Sequence, residues 1–116
     1  MKNRPLRERV GFAVAGLKSG WLRERSFRTH CLFALAALVV LAVLRPAPIW
    51  WAAAAVVAAI VMALELVNSA MEGVIDLLHP AIHPEIKIIK DMLAGAVLIA
   101  SISALIVAAA LLAAVL

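Results

Sequence analysis

Apolar positions fall into one short periodic stretch followed by three long runs, and polar residues mostly mark the joints between them. From Val10 to Leu22, the residues Val10, Ala13, Val14, Leu17 and Trp21 recur at helical spacing, with Arg9, Lys18 and Arg23 elsewhere on the surface. This predicts a helix over about 9–24 lying in a membrane interface, with Trp21 at headgroup depth and the residues before it frayed. The run Cys31 to Leu44 is short for a span alone. It reaches bilayer thickness once Phe27, Thr29 and His30 on one side and Arg45 on the other occupy the interfaces, which predicts a span over about 28–45. Two prolines in Arg45-Pro46-Ala47-Pro48 force a tight turn, and Trp50 and Trp51 follow where indoles favour the interface. A second helix is predicted over about 49–78, ended by the His79-Pro80 and His83-Pro84 pairs. The third, over about 85–116, contains no charge from Met92 onward, and its small residues (Ala94, Gly95, Ala100, Ser101, Ala104) suit close helix packing.

The expected fold is therefore an all-α membrane protein, with three transmembrane helices and an N-terminal amphipathic interfacial helix, forming one membrane-embedded domain over 1–116. Composition agrees: 66% of the 116 residues are hydrophobic and the mean hydropathy is +1.09, well outside the range of a soluble domain. The basic start lacks an apolar core with a small-residue cleavage site, so no signal peptide is expected. Cys31 is the single cysteine, which excludes an intramolecular disulfide and a CxxC motif.

A net charge of +4 raises the question of nucleic acid. The basic residues, however, crowd beside the first span, where they set topology and meet anionic lipid, and no nucleic-acid partner is expected. Lys2, Arg4, Arg7, Arg9, Lys18, Arg23, Arg25 and Arg28 precede that span, the first loop has only Arg45, and the second has Lys87 and Lys90. The positive-inside rule places the N-terminus and second loop in the cytoplasm, and the first loop and C-terminus outside. ATP and magnesium are on the cytoplasmic side.

One polar feature interrupts the pattern. Glu65, Asn68, Glu72 and Asp76 lie within roughly one quadrant of the second membrane helix at about 100° per residue. Carboxylates are expensive in a bilayer, and three on one face indicate a site. Depth separates them: Glu65 lies deeper, where a proton acceptor is useful, whereas Glu72 is nearer water and suits a hard divalent cation. Glu24, at the cytoplasmic membrane edge, is placed to join Glu72. The bland alternative keeps Glu65 as a paired bundle carboxylate, Asn68 as a link between helices, and Glu72 and Asp76 as solvated end charges. Lys90-Asp91 is either a solvated helix end or a contact for a polyphosphate. The prolines rule out a helical metal pair from His79 and His83. The segment from Gly11 to Ser19 approximates a P-loop, but Leu17 intrudes before Lys18 and no strand precedes it.

The helix motif Glu65-Leu-Val-Asn68-Ser69-Ala-Met-Glu72-Gly-Val-Ile-Asp76, with Lys90-Asp91 downstream, resembles the signature of the prokaryotic integral-membrane diacylglycerol kinases and their undecaprenol kinase relatives. Gly16-Leu17, Trp21 and Glu24-Arg-Ser-Phe27-Arg28 match at compatible spacing, so the resemblance covers roughly residues 9 to 105. It implies a homotrimer of three-span subunits in the bacterial inner membrane, with sites between subunits at the cytoplasmic boundary. It also implies magnesium- and ATP-dependent phosphorylation of a membrane lipid alcohol, diacylglycerol to phosphatidic acid foremost and undecaprenol as the alternative. Glu65 would be the general base, assisted by Asn68, with Glu24 and Glu72 holding magnesium. Phe12, Asp76, His83, Lys90 and Asp91 would join Glu24 and Glu72 around the nucleotide, and Trp21 and Ala94 would meet the lipid beside Glu65.

There are departures. Leu93-Ala94-Gly95-Ala96 stands where diacylglycerol kinases often have Gly-Ser-Ala-Ala, so a serine near the lipid is missing. Phe12 replaces a tyrosine found in some members, and Arg4, Arg7 and Arg9 compete for one nucleotide contact. Arg28-Thr29-His30, His83-Pro84 and Ala94-Gly95-Ala96-Val97 lean toward the undecaprenol branch. Two other classes compete: a proton- or cation-conducting oligomer built on Glu65, and a small structural membrane subunit.

Overall fold

The computed structural model describes residues 3–79, 81 and 83–116; Lys2 of the basic cluster and Pro80 of the first His-Pro pair lie outside them. Four helices account for nearly all of this: α1 (Leu6–Arg23), α2 (Arg25–Leu44), α3 (Pro48–Leu78) and α4 (Pro84–Val115). The last three are long and apolar enough to cross a membrane. The span limits agree with the hydrophobic pattern to within a few residues. The first helix does not: it begins at Leu6, because Pro5 supplies a preset φ and its carbonyl accepts from Glu8 N at 3.0 Å and Arg9 N at 3.1 Å. The polar residues at this helix start suggest fraying, but the proline organises the turn.

The joints are short. Only Glu24 separates α1 from α2, with extended backbone (φ −115°, ψ 108°). Its N–H donates to the Gly20 carbonyl at 2.9 Å, so the chain bends with little loss of hydrogen bonding. The Arg28 guanidinium then reaches back, donating to the Trp21 carbonyl at 2.7 Å and the Leu22 carbonyl at 3.3 Å. These are carbonyls that a helix C-terminus leaves without partners. At the other end of α2, Arg45 adopts the left-handed region (φ 50°), and Pro48 starts α3 at a position where its missing N–H costs nothing.

α3 packs most extensively on α4, then on α2, while α1 folds back against both α2 and α3. At about 1.5 Å per residue the 31-residue α3 is about 46 Å long, well beyond a hydrocarbon core of about 30 Å, so its ends reach the headgroup regions. Buried residues are few: Phe27, Leu41, Val61, Ala100, Leu111, Gly20 and Glu65. Large apolar side chains such as Phe33, Val43, Ile99 and Leu105 are exposed on the isolated chain, a surface suited to lipid or to other helices rather than water.

The approach of α1 to α3 depends on Gly20. A Cβ there would lie 2.5 Å from Leu66 Cδ2 and 3.4 Å from Phe27 Cδ2. Alanine improves helix propensity by about 1 kcal/mol, whereas overpacking costs about 1–3 kcal/mol, so the clash should prevail. Gly20→Ala is expected to lower the thermal midpoint in detergent, and adding Leu66→Val should recover part of the loss. An unchanged or raised midpoint in the single variant would show that α1 does not seat on Leu66.

Candidate active site

α3 and α2 bring the deepest polar groups together. Along α2, Phe27, His30, Cys31, Ala34 and Leu41 form the less exposed face, and along α3 the buried positions are Val61 and Glu65. Glu65 is only 6% exposed, the least accessible charged residue among those described. Its Oε1 lies 3.2 Å from His30 Nδ1. That nitrogen is also 3.0 Å from the Ser26 carbonyl oxygen, and the imidazole meets the Phe33 ring edge-to-face at 6.2 Å. His30 had no expected role beyond sitting at the interface. A polar residue near a span end carries little signal until the helix facing it is known.

Beyond Glu65 the stripe becomes wetter with each turn. Asn68 is partly buried, and its Oδ1 is fully enclosed with no hydrogen-bond partner among the described residues. Such an atom costs about 1–3 kcal/mol unless water, ligand or another subunit satisfies it. Glu72 is half-buried and Asp76 exposed. Lys90 Nζ reaches across from α4 to Asp76 Oδ1 at 2.8 Å, and Glu72 adds to the negative field at that ammonium. One turn of α4 away, Lys87 and Asp91 pair at 2.7 Å. Two of the expected nucleotide residues, Asp76 and Lys90, are therefore in direct contact, and Asp91 is engaged by a lysine absent from the expected set.

The remaining candidates are more dispersed. Glu24, half-buried, forms the α1–α2 joint. His83 caps α4, its Nδ1 accepting from Glu85 N at 3.1 Å. Phe12 and Trp21 are exposed on α1, and Ala94 is exposed on α4. Among the described residues no three His, Cys, Asp or Glu side chains converge as a metal cluster. Glu24 and Glu72 are both half-buried carboxylates, the ligand type that magnesium takes beside water and phosphate oxygens.

An apolar cavity of about 620 Å³ runs between α2, α3 and α4, from His30 and Met62 at one end to Leu111 and Leu112. Its size is in the range of ligand sites. Among the described residues, His30 and Ser101 are its only polar lining residues, and the remaining walls are hydrocarbon.

Fold and site together define an all-helical integral membrane protein with a buried carboxylate and a charged rim on its two longest helices. Comparison with known proteins makes this specific. Residues 11–112 match the sequence model of prokaryotic diacylglycerol kinase. The protein named diacylglycerol kinase from Synechocystis sp. is 39% identical over 102 residues, covering 87% of this chain and 58% of that relative. Its namesake from Escherichia coli (strain K12) is 34% identical over 97 residues, covering 84% and 80%. The one from Helicobacter pylori (strain ATCC 700392 / 26695) is 31% identical over 88 residues, covering 76% and 69%. The chain belongs to the prokaryotic diacylglycerol kinase family, and its match spans less than two thirds of the Synechocystis relative.

The Asp76–Lys90 pair is largely exposed, at 64% and 36% for the two side chains, so its worth to folding should be small. Asp76→Asn and Lys90→Met are each expected to leave the thermal midpoint in detergent nearly unchanged, and the double variant to behave like either one. A large drop in the midpoint would show instead that this pair clamps α3 to α4.

Proposed function

We propose that this chain is an ATP- and magnesium-dependent lipid kinase, transferring the γ-phosphoryl group of ATP to the primary hydroxyl of diacylglycerol to give phosphatidic acid. The observation that carries this reading is the buried Glu65 carboxylate, in contact with the His30 that lines one end of an apolar cavity and one turn from the enclosed, unpartnered Asn68 Oδ1. An amphiphile has that same division, with hydrocarbon along its length and a hydroxyl at its end. The diacylglycerol name carried by the relatives favours this acceptor. The undecaprenol-like residues at His83-Pro84 and Ala94-Gly95-Ala96-Val97 make undecaprenol the acceptor to test beside it.

In this reading Glu65 accepts the proton of the lipid hydroxyl as its oxygen bonds to the γ-phosphorus. The bond from that phosphorus to the β–γ bridging oxygen breaks, ADP leaves, and the proton passes from Glu65 to the cytoplasm. Asn68 Oδ1 is placed to receive a hydrogen bond from water or the acceptor. Glu24 and Glu72 would hold magnesium, whose charge neutralises the ATP phosphates when bound. Lys90, with Asp76, Asp91, His83 and Phe12, surrounds the nucleotide, and Trp21 and Ala94 face the lipid.

A homotrimer in the bacterial inner membrane, with its N-terminus and site cytoplasmic, accords with this assignment. The sparse core of one chain and the enclosed Asn68 oxygen support a site completed by a neighbour.

Glu65→Gln is expected to lower kcat by about 10²–10⁴-fold, the usual contribution of a general base. Glu72→Gln should raise the magnesium concentration needed for half-maximal activity. Both follow from assays of the protein in mixed micelles with labelled ATP, offering diacylglycerol and undecaprenol in parallel. Wild-type turnover by Glu65→Gln would defeat the base assignment, and proton flux in liposomes without ATP would favour a conducting role.

A further inference from the structure

The residue that faces Glu65 has no part in the reaction described above, yet its geometry is unusually constrained. His30 lies on the inner face of α2 with the same nitrogen near two oxygens, Ser26 O at 3.0 Å and Glu65 Oε1 at 3.2 Å. A carbonyl oxygen only accepts hydrogen bonds, so Nδ1 must carry a hydrogen. Turning the ring over would put a carbon against both oxygens, which fixes its orientation as well as its tautomer. The carboxylate therefore faces the positive Nδ1–H edge of the imidazole whether the ring is neutral or protonated. Phe33 packs edge-to-face with that ring, and His30 retains only 24% of its side-chain exposure.

No other cationic side chain among those described comes within 4.0 Å of Glu65. The Nδ1 hydrogen bond goes to the Ser26 carbonyl, and neither Glu65 oxygen accepts a hydrogen bond within the described residues. A carboxylate with an imidazole packed against one oxygen has the other left to receive a proton.

We propose that His30 is the positioning residue for Glu65: its imidazole, fixed through Ser26, packs against Oε1 and leaves Oε2 to meet the acceptor hydroxyl. This rests on the reading of Glu65 as the general base. His30 gains and loses no proton in the step. The hydroxyl proton goes to Oε2, the new bond is from the lipid oxygen to the γ-phosphorus, and ADP is the leaving group. Orientation of a reacting group acts on the transition state rather than on substrate binding, so the effect belongs in kcat.

The test is a set of substitutions with full kinetics, paired with a spectroscopic measurement on the intact protein in bilayers. His30→Ala should lower kcat by at least about tenfold, the scale on which removing an orienting partner acts, with KM for ATP and lipid within about twofold of wild type. His30→Asn places an amide N–H near the original Nδ1 and should recover most of that loss. Nitrogen-15 NMR of labelled histidine should show His30 with hydrogen on Nδ1, and Glu65→Gln should move that resonance. Wild-type kcat in His30→Ala, with Glu65→Gln inactive, would overturn this proposal alone. Equal impairment of His30→Ala and His30→Asn, or an Nδ1 lacking hydrogen, would also overturn it. An active Glu65→Gln would remove the base assignment and this proposal together.

Discussion

An ionised carboxylate among hydrocarbon side chains costs several kcal/mol unless charge or dipole compensates it, and Glu65 is in that situation between α2 and α3. The arrangement around it answers the cost. The inner face of α2 presents His30 at the matching depth, and the Ser26 carbonyl one turn earlier sets the hydrogen on the nitrogen facing Glu65. α1 folds back close to the same level through Gly20 against Leu66, the next residue of α3. The bend that makes this possible is a single residue, Glu24, itself a carboxylate.

Moving along α3 from Glu65 toward its C-terminus, polarity increases in steps of about one turn: a buried carboxylate, a half-buried amide, a half-buried carboxylate, then an exposed one paired to a lysine of α4. Exposure rises from the buried Glu65 through the half-buried Asn68 and Glu72 to the exposed Asp76. The surface pair of Asp76 and Lys90 is thermodynamically cheap to break. Glu65 and its histidine are the opposite case, where low exposure makes geometry costly to change.

Much of this was legible in the residue pattern because two of its determinants are periodic or compositional. Apolar runs of bilayer length defined the spans, prolines defined the breaks, and the spacing of Glu65, Asn68, Glu72 and Asp76 put them on one face before any coordinates were considered. The missing parts are those that depend on a neighbour. His30 becomes informative only when α2 lies against α3. Gly20 looks like any glycine until Leu66 is next to where its Cβ would be. Arg28 read as one more topological charge, but its guanidinium caps the end of α1. His83 Nδ1 caps α4 by accepting from Glu85 N, a contact that only the folded turn reveals. α1 begins at Leu6, where Pro5 outweighs the charged residues that obscure its start in the sequence.

The turn at Arg45 sits at the far end of α2 and α3 from the buried pair, yet it governs that pair by counting. His30 lies 14 residues before Leu44, and Glu65 lies 17 residues after Pro48, about 21 Å and 26 Å along the two helices. Because only Arg45, Pro46 and Ala47 join the helices, those two lengths act as rulers laid from a common zero. Adding one residue to either ruler rotates its reading by about 100° and displaces it by about 1.5 Å, which turns the histidine away from the carboxylate without touching either. The meeting of His30 and Glu65 therefore depends on how many residues separate each from the turn, whatever apolar side chains those residues carry.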